Sequence, residues 1–142
     1  MTSSLQTREK LVQMDVLDVH ICPMCNAAPE SIDHLFFRCA FSVQCLQVIE
    51  QWLGIRIPRD LHRIAAKKWR GPKSRRTLEF TIICSLTYKI WRTHNEAVWS
   101  LSMSTIAIVT KRILHEVRIR LLSLYPLGSC QAWFTKLFDA EL

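Results

Sequence analysis

Apolar side chains recur every three to four positions along most of this chain. Between Ser74 and Trp99, Leu78, Ile82, Leu86 and Ile90 fall four apart, and Ile83, Trp91 and Trp99 widen the stripe. That period predicts one long amphipathic helix. The β-branched residues Thr81, Ile82, Ile83 and Thr87 admit a strand, yet no turn signal divides the segment. A second long helix is predicted over Ser102–Leu124, with Ile106, Val109, Ile113, Val117, Leu121 and Leu124 inward. Lys111, Arg112, His115 and Arg118 fall mainly on its other side, and Pro126 and Gly128 end it. With about two residues between them, the two helices should form an antiparallel hairpin.

Shorter elements flank this pair. Thr7–Val16 reads as a helix with Thr7 as N-cap and Leu11 and Met14 on one side. Phe41–Leu53 reads as another, with Val48, Ile49 and Trp52 on one side and Gly54 as the stop. A helix from Pro58 to Arg70, with Pro near N1, would carry the apolar Leu61, Ile64, Ala65 and Trp69 before the break at Gly71-Pro72. Ala132–Phe138 reads as a short closing helix. No internal repeat or low-complexity tract is present.

The period is lost between residues 20 and 40, where Pro23, Asn26 and Pro29 are turn formers. This stretch contains Cys22, Cys25, His34 and Cys39, spaced C-x2-C-x8-H-x4-C. Three thiols and one imidazole are the ligand set of a closed structural zinc site. A C-x2-C turn presents two thiolates, and the second pair arrives from the next local element. Three thiolates and a neutral imidazole around a dication leave one negative charge, which neighbouring Arg38 can offset. His34 and Cys39 would lie about 140° apart around a regular helix. The spacing therefore predicts a helical turn near residues 30–37 that ends before Cys39. His20 and Cys45 lie near enough to substitute as ligands but read as neighbours without a bond to metal. With six cysteines in all, Cys45, Cys84 and Cys130 read as buried small hydrophobes.

Charge changes the picture further. The net charge is +7, and it is concentrated. Between Arg56 and Arg76 lie nine cations and one acid, Asp60. Arg63, Lys67, Lys68, Arg70, Lys73, Arg75 and Arg76, together with Arg38, are candidate contacts to nucleic-acid phosphates. Trp69, inside this stretch, could stack on a base or anchor a helix to the core, and both readings stay open. Hydrophobic residues make up 49% of the 142, enough for a real core. No apolar run approaches the ~20 residues that span a bilayer, so no membrane segment is expected. The start lacks the pattern of a secretory signal, and the C-x2-C pair favours metal over disulfides. The expected setting is therefore intracellular, in nucleus or cytoplasm.

Catalytic patterns are missing. There is no phosphate-binding glycine loop, no G-x-S-x-G and no acidic cluster suited to two-metal chemistry. His62, His94 and His115 occur singly, without a carboxylate spaced to orient them. Asp33 reads as a turn former or as support for the metal ligands. A non-enzyme is expected.

Several of these residues together resemble a known family. Thr7-Arg8-x-x-Leu11, Cys22-x2-Cys25, Glu30-Ser31-x-Asp33-His34-Leu35-Phe36-Phe37-x-Cys39 and Trp52-Leu53 are similar to the zinc-binding domain that follows reverse transcriptase in non-LTR retrotransposons, especially the plant LINE type. The resemblance covers about residues 5–54, and Ile90-Trp91-Arg92-x-x-Asn95 resembles a stretch found downstream in such elements. It departs at Cys45, where the family often has Trp, and at His94, where Arg precedes the Asn. It implies a bound zinc ion and nucleic-acid binding, to RNA or DNA, in support of reverse transcription.

The expected architecture is mainly α, with a small N-terminal Cys-Cys-His-Cys zinc knuckle followed by a helical region containing a long antiparallel hairpin. The expected division is a zinc-binding domain over 1–54, a basic linker or helix over 55–72 and a helical hairpin region over 73–142. Two functional readings remain at this point. One is a non-catalytic zinc-knuckle module that binds nucleic acid, with Phe36, Phe37 or backbone groups offered to a flexible strand. The other is a zinc-stapled structural domain whose helical region meets a protein partner or a second copy of the chain.

Overall fold

A computed structural model describes residues 7, 12–14, 20–66 and 71–125. Its elements are a π-helical turn over His34–Arg38, then α1 (Ala40–Leu53), α2 (Leu61–Ala66), α3 (Lys73–Trp99) and α4 (Ile106–Leu124). Among the described residues the only β pairing is an isolated antiparallel bridge between Ile21 and Pro29. The fold is mainly helical, as the periodicity predicts. Residues 8–11, 15 and 16 of the predicted helix over Thr7–Val16, Trp69 and the closing helix over Ala132–Phe138 lie outside the described residues.

Helices α3 and α4 form the antiparallel hairpin. Thr77 Oγ1 lies 3.3 Å from Tyr125 Oη, Ser85 Oγ donates to Glu116 at 2.7 Å, and Ser104 Oγ donates to Glu96 at 3.4 Å. Partners rise in number along one helix as they fall along the other, which only opposed directions allow. The apolar stripe of α3 is buried at Leu78, Ile82, Leu86 and Ile90 against Val109, Ile113, Leu114, Val117 and Leu121 of α4. Each such Leu or Ile contributes about 1.5–3 kcal/mol relative to an exposed side chain.

Helix α4 starts at Ile106, later than the predicted Ser102. The Thr105 hydroxyl accepts from the Ile108 amide at 3.4 Å and caps the first turn. The link between the helices is correspondingly longer than two residues, and Leu101 takes φ 50° within it. Ile106 is only half-buried and Leu124 is exposed, so both ends of α4 outrun the core.

Helix α1 starts at Ala40 and stops where predicted, because Gly54 adopts φ 61°, ψ 32°. A Cβ there would meet nothing within 4 Å, so the requirement for glycine is conformational rather than steric. Gly54→Ala is expected to lower stability by about 1–2 kcal/mol, measurable as a lowered melting midpoint. The buried row of α1 is Phe41, Cys45, Leu46, Ile49 and Leu53, while Val48 and Trp52 are half-buried.

Helix α2 starts at Leu61, later than the predicted Pro58, and residues 67–70 of the predicted Pro58–Arg70 helix lie outside the described residues. The Asp60 carboxylate accepts from the Arg63 amide at 3.0 Å, which fixes its first turn. No residue of α2 is buried; Leu61 and Ala65 are exposed and Ile64 is half-buried. Glu50 holds the connection back onto α1. Its two carboxylate oxygens accept from the Ile57 amide and from Arg59 Nη2, each at 2.8 Å.

The π-helical turn packs on α1 and α3, and α1 packs on α4. Cys22, Met24, Leu35, Phe36, Phe37 and Cys39 therefore share one continuous core with the hairpin. The cysteine-bearing segment is seated on the hairpin rather than tethered beside it.

Candidate metal centre

Residues 20–30 fold back on themselves through a few backbone bonds. The Cys22 amide donates to Ala28 O, the Glu30 amide to His20 O and the Asn26 amide to Cys22 O, each at 2.9 Å. Pro23–Cys25 form the turn, and Asn26 takes φ 53°, a left-handed conformation that Asn tolerates. Ser31 starts the next element, its hydroxyl accepting from the His34 amide at 3.1 Å. The turn then widens, and the Cys39 amide donates to His34 O at 2.7 Å, an i→i+5 bond. This resolves the angular conflict between His34 and Cys39. The π-helical turn closes directly onto Cys39, which leaves the helix at ψ 131° and serves as N-cap of α1.

The four predicted ligands converge. The ligand atoms of Cys22, Cys25, His34 and Cys39 all lie within 4.8 Å of one another. Cys22 Sγ and Cys39 Sγ are 3.9 Å apart, and Cys25 Sγ lies 3.4 Å from His34 Nε2. A tetrahedron with Zn–S near 2.3 Å and Zn–N near 2.0 Å has edges of about 3.8 Å between sulfurs and about 3.5 Å between sulfur and nitrogen. Both separations fit a zinc ion, and Nε2 is the nitrogen aimed at it. With all four positions taken by protein, the ion's role would be structural.

The thiols already share their protons unevenly. The Cys22 thiol donates to Cys39, and this bond holds the Cys39 thiol well below its usual range against the opposing effect of burial. The same bond, together with burial, pushes Cys22 far up. A metal ion would displace the shared proton and take both sulfurs as thiolates. Cys45 is fully buried beneath, and burial, then the charge of Cys39, pushes its thiol up to about 12. It stands outside the ligand cluster, as does exposed His20. Cys84 is exposed on α3, contrary to the expected buried thiol, and Cys130 lies outside the described residues.

Arg38 does not turn toward the thiolates. Its Nε pairs with Asp33 at 2.5 Å across the π-helical turn, so Asp33 orders the turn through Arg38. Leu35, Phe36 and Phe37 are all buried, with Phe36 at 4% and Phe37 at 8% exposure. Neither phenylalanine can stack on a nucleic-acid base. They are the apolar footing by which the site rests on α1 and α3.

The predicted phosphate contacts are less uniform than the sequence implies. Arg63 pairs with Asp60 at 3.7 Å and Arg75 with Glu79 at 3.2 Å. Arg59, in the same basic window, is held by Glu50. Acids just outside the window thus compensate cations inside it. Lys73 and Arg76 are exposed and form no ion pair among the described residues. Lys67, Lys68 and Arg70 lie outside the described residues.

One contact could not be anticipated from local spacing. His94 Nε2 on α3 lies 2.8 Å from Glu30 Oε2, and the two side chains are 1% and 0% exposed. The ring N–H is not aligned for a straight hydrogen bond, so the contact is a close polar pairing of imidazole and carboxylate. Trp91 stacks on the His94 ring at 5.1 Å between centroids, and Asn95 Oδ1 lies 3.3 Å from Nδ1. The pair pins the zinc knuckle to the hairpin. A signal was present: His94 occupies the next position of the stripe Ile82, Leu86, Ile90, where a polar ring needs a buried partner.

Residues 1–45 match the family model described as zinc-binding in reverse transcriptase. All four ligands of the zinc-binding segment fall within that match, and 97 residues, including the hairpin, lie beyond it. Comparison with curated proteins and with solved structures gives no match. Among the described residues, no helix is long and apolar enough to cross a membrane.

Proposed function

We propose that this chain is a non-catalytic nucleic-acid-binding module serving reverse transcription, of the kind carried by plant LINE-type non-LTR elements. The observation that carries the reading is the convergence of Cys22, Cys25, His34 and Cys39 inside the segment matching zinc-binding in reverse transcriptase. A saturated ligand set organises structure and leaves no coordination position for substrate. Thiols kept reduced for metal suit an intracellular compartment, nucleus or cytoplasm.

The first turns of α3 supply a surface of suitable chemistry. Lys73, Arg76, Thr77 and Phe80 line one shallow groove, and Phe80 is 60% exposed. Cations beside an aromatic ring are the elements of single-strand binding, in which bases stack while phosphates are neutralised. This surface replaces buried Phe36 and Phe37 as the stacking candidate.

Titration of a labelled single-stranded oligonucleotide against the zinc-loaded chain, at several salt concentrations, tests the reading. Neutralisation of about five phosphates gives a slope of log affinity on log salt near −3.5. Lys73→Ala combined with Arg76→Ala should make that slope shallower by about 1.4. No binding at low salt, or binding indifferent to salt, contradicts the reading.

A second reading rests on Trp99, Leu101 and Met103, which stand exposed at the hairpin link, with Leu101 held at positive φ. A protein partner covering that tip would make the chain a zinc-stapled interaction domain. This reading expects metal-dependent folding without nucleic-acid affinity, and a partner or self-association lost on Trp99→Ser.

A further inference from the structure

A second cationic surface lies wholly outside the basic window of the sequence. Lys89 and Arg92 of α3 and Lys111, Arg112, His115 and Glu116 of α4 line a groove along the hairpin seam. Its single acid is already engaged. Glu116 accepts from Ser85 Oγ at 2.7 Å and pairs with Lys89 Nζ. Burial pushes the Glu116 carboxyl up, but hydrogen bonds from Lys89 and Ser85 and the charges of Lys89 and Arg92 outweigh it and hold it below the usual range. Arg92 Nε reaches Glu96 at 3.2 Å.

The remaining two cations, Lys111 and Arg112, form no ion pair among the described residues. Arg112 Nη1 donates to the neutral Ser104 hydroxyl at 3.4 Å. Both are exposed on consecutive positions of α4. The groove is also almost purely a donor surface, since ammonium and guanidinium groups donate and never accept. A fitting ligand brings repeated negative charge and many acceptors but few donors. A phosphodiester backbone has that chemistry. An acidic peptide brings an amide donor on each residue, and the only carboxylate lining the groove is occupied.

We propose that the α3–α4 groove binds the phosphodiester backbone of single-stranded nucleic acid, with Lys111 and Arg112 as its free phosphate contacts. The assignment rests on the nucleic-acid reading above and adds a second contact patch to the one at Lys73 and Arg76. Arg112 offers a planar fork to two phosphate oxygens, and Lys111 a point charge.

Fluorescence anisotropy tests this with the zinc-loaded full chain and a labelled single strand of about 16 nucleotides. The variant Lys111→Ala/Arg112→Ala should keep its helicity and zinc, yet bind about tenfold more weakly near 200 mM salt, with a slope shallower by about 1.4. Length-preserving single substitutions, Lys111→Gln and Arg112→Gln, should each lower the slope by about 0.7, which keeps the test available if the double variant perturbs α4. Unchanged affinity and slope in these variants, alongside binding by the wild type, overturns the groove and leaves the proposed function standing. No binding by the wild type overturns both. Equal competition by polyglutamate, lost in the same variants, overturns the nucleic-acid assignment in favour of an acidic protein partner.

Discussion

Stripping zinc from the purified chain with a strong chelator is expected to unfold residues 20–39 and fray the start of α1, while α3 and α4 stay paired. The segment has only a few backbone hydrogen bonds of its own. Structural zinc in peptides of this kind binds with an apparent ~10–16 kcal/mol at neutral pH, and much of that is folding free energy. Cys39 is at once a ligand and the N-cap of α1, so metal loss is transmitted directly into that helix. The hairpin core, from Leu78 to Ile90 and Val109 to Leu121, contains no ligand and should persist. Circular dichroism should show a partial loss of helix, and hydrogen exchange should locate it before residue 54. Cys25→Ser should behave like the stripped protein. Cys84→Ser, changed at an exposed thiol on α3, should retain zinc and helix content. A chelated chain with unchanged exchange across residues 20–39 would show that the apolar footing alone holds the segment.

The second large effect concerns Glu30 and His94. His94→Ala removes the imidazole that faces a fully buried carboxylate. Removing one partner of a close, fully buried polar contact costs about 1–3 kcal/mol, because the other group loses an interaction that water cannot replace. For a chain of this size that lowers the melting midpoint by roughly 3–10 °C. The ring also stacks on Trp91, so part of the loss is packing. A double-mutant cycle separates the two contributions. Glu30→Leu/His94→Leu, which removes both polar groups, should recover a substantial part of the loss from His94→Ala alone. Strict additivity of the single substitutions would mean that the two residues do not interact across the seam between knuckle and hairpin.

The zinc ligands were legible because metal chemistry is local here. Four side chains within eighteen positions cannot avoid one another once C-x2-C turns, and turn formers mark the loop between them. The long helices were legible for the same reason, since a four-residue period is a local property of the chain. Their boundaries were set by hydrogen bonds that pattern alone does not rank, as where Thr105 caps α4 in preference to Ser102. Contacts between distant residues were not legible. The Glu30–His94 pairing joins a turn-rich loop to a helix far along the chain. The closing of Glu50 on Arg59 lowered the free charge of a window that counts as strongly basic by sequence. Phe36 and Phe37 illustrate a third kind of loss. Consecutive aromatics beside a knuckle suit an exposed stacking surface, but the wide π-helical turn directs both into the core.

X-ray absorption at the zinc edge of the metal-loaded chain, combined with metal stoichiometry, addresses the ligand set most directly. One zinc per chain, with three sulfurs near 2.3 Å and one nitrogen near 2.0 Å, is the predicted result. A substoichiometric metal, or a shell containing two sulfurs with oxygen ligands, would contradict closure of the site by Cys22, Cys25, His34 and Cys39.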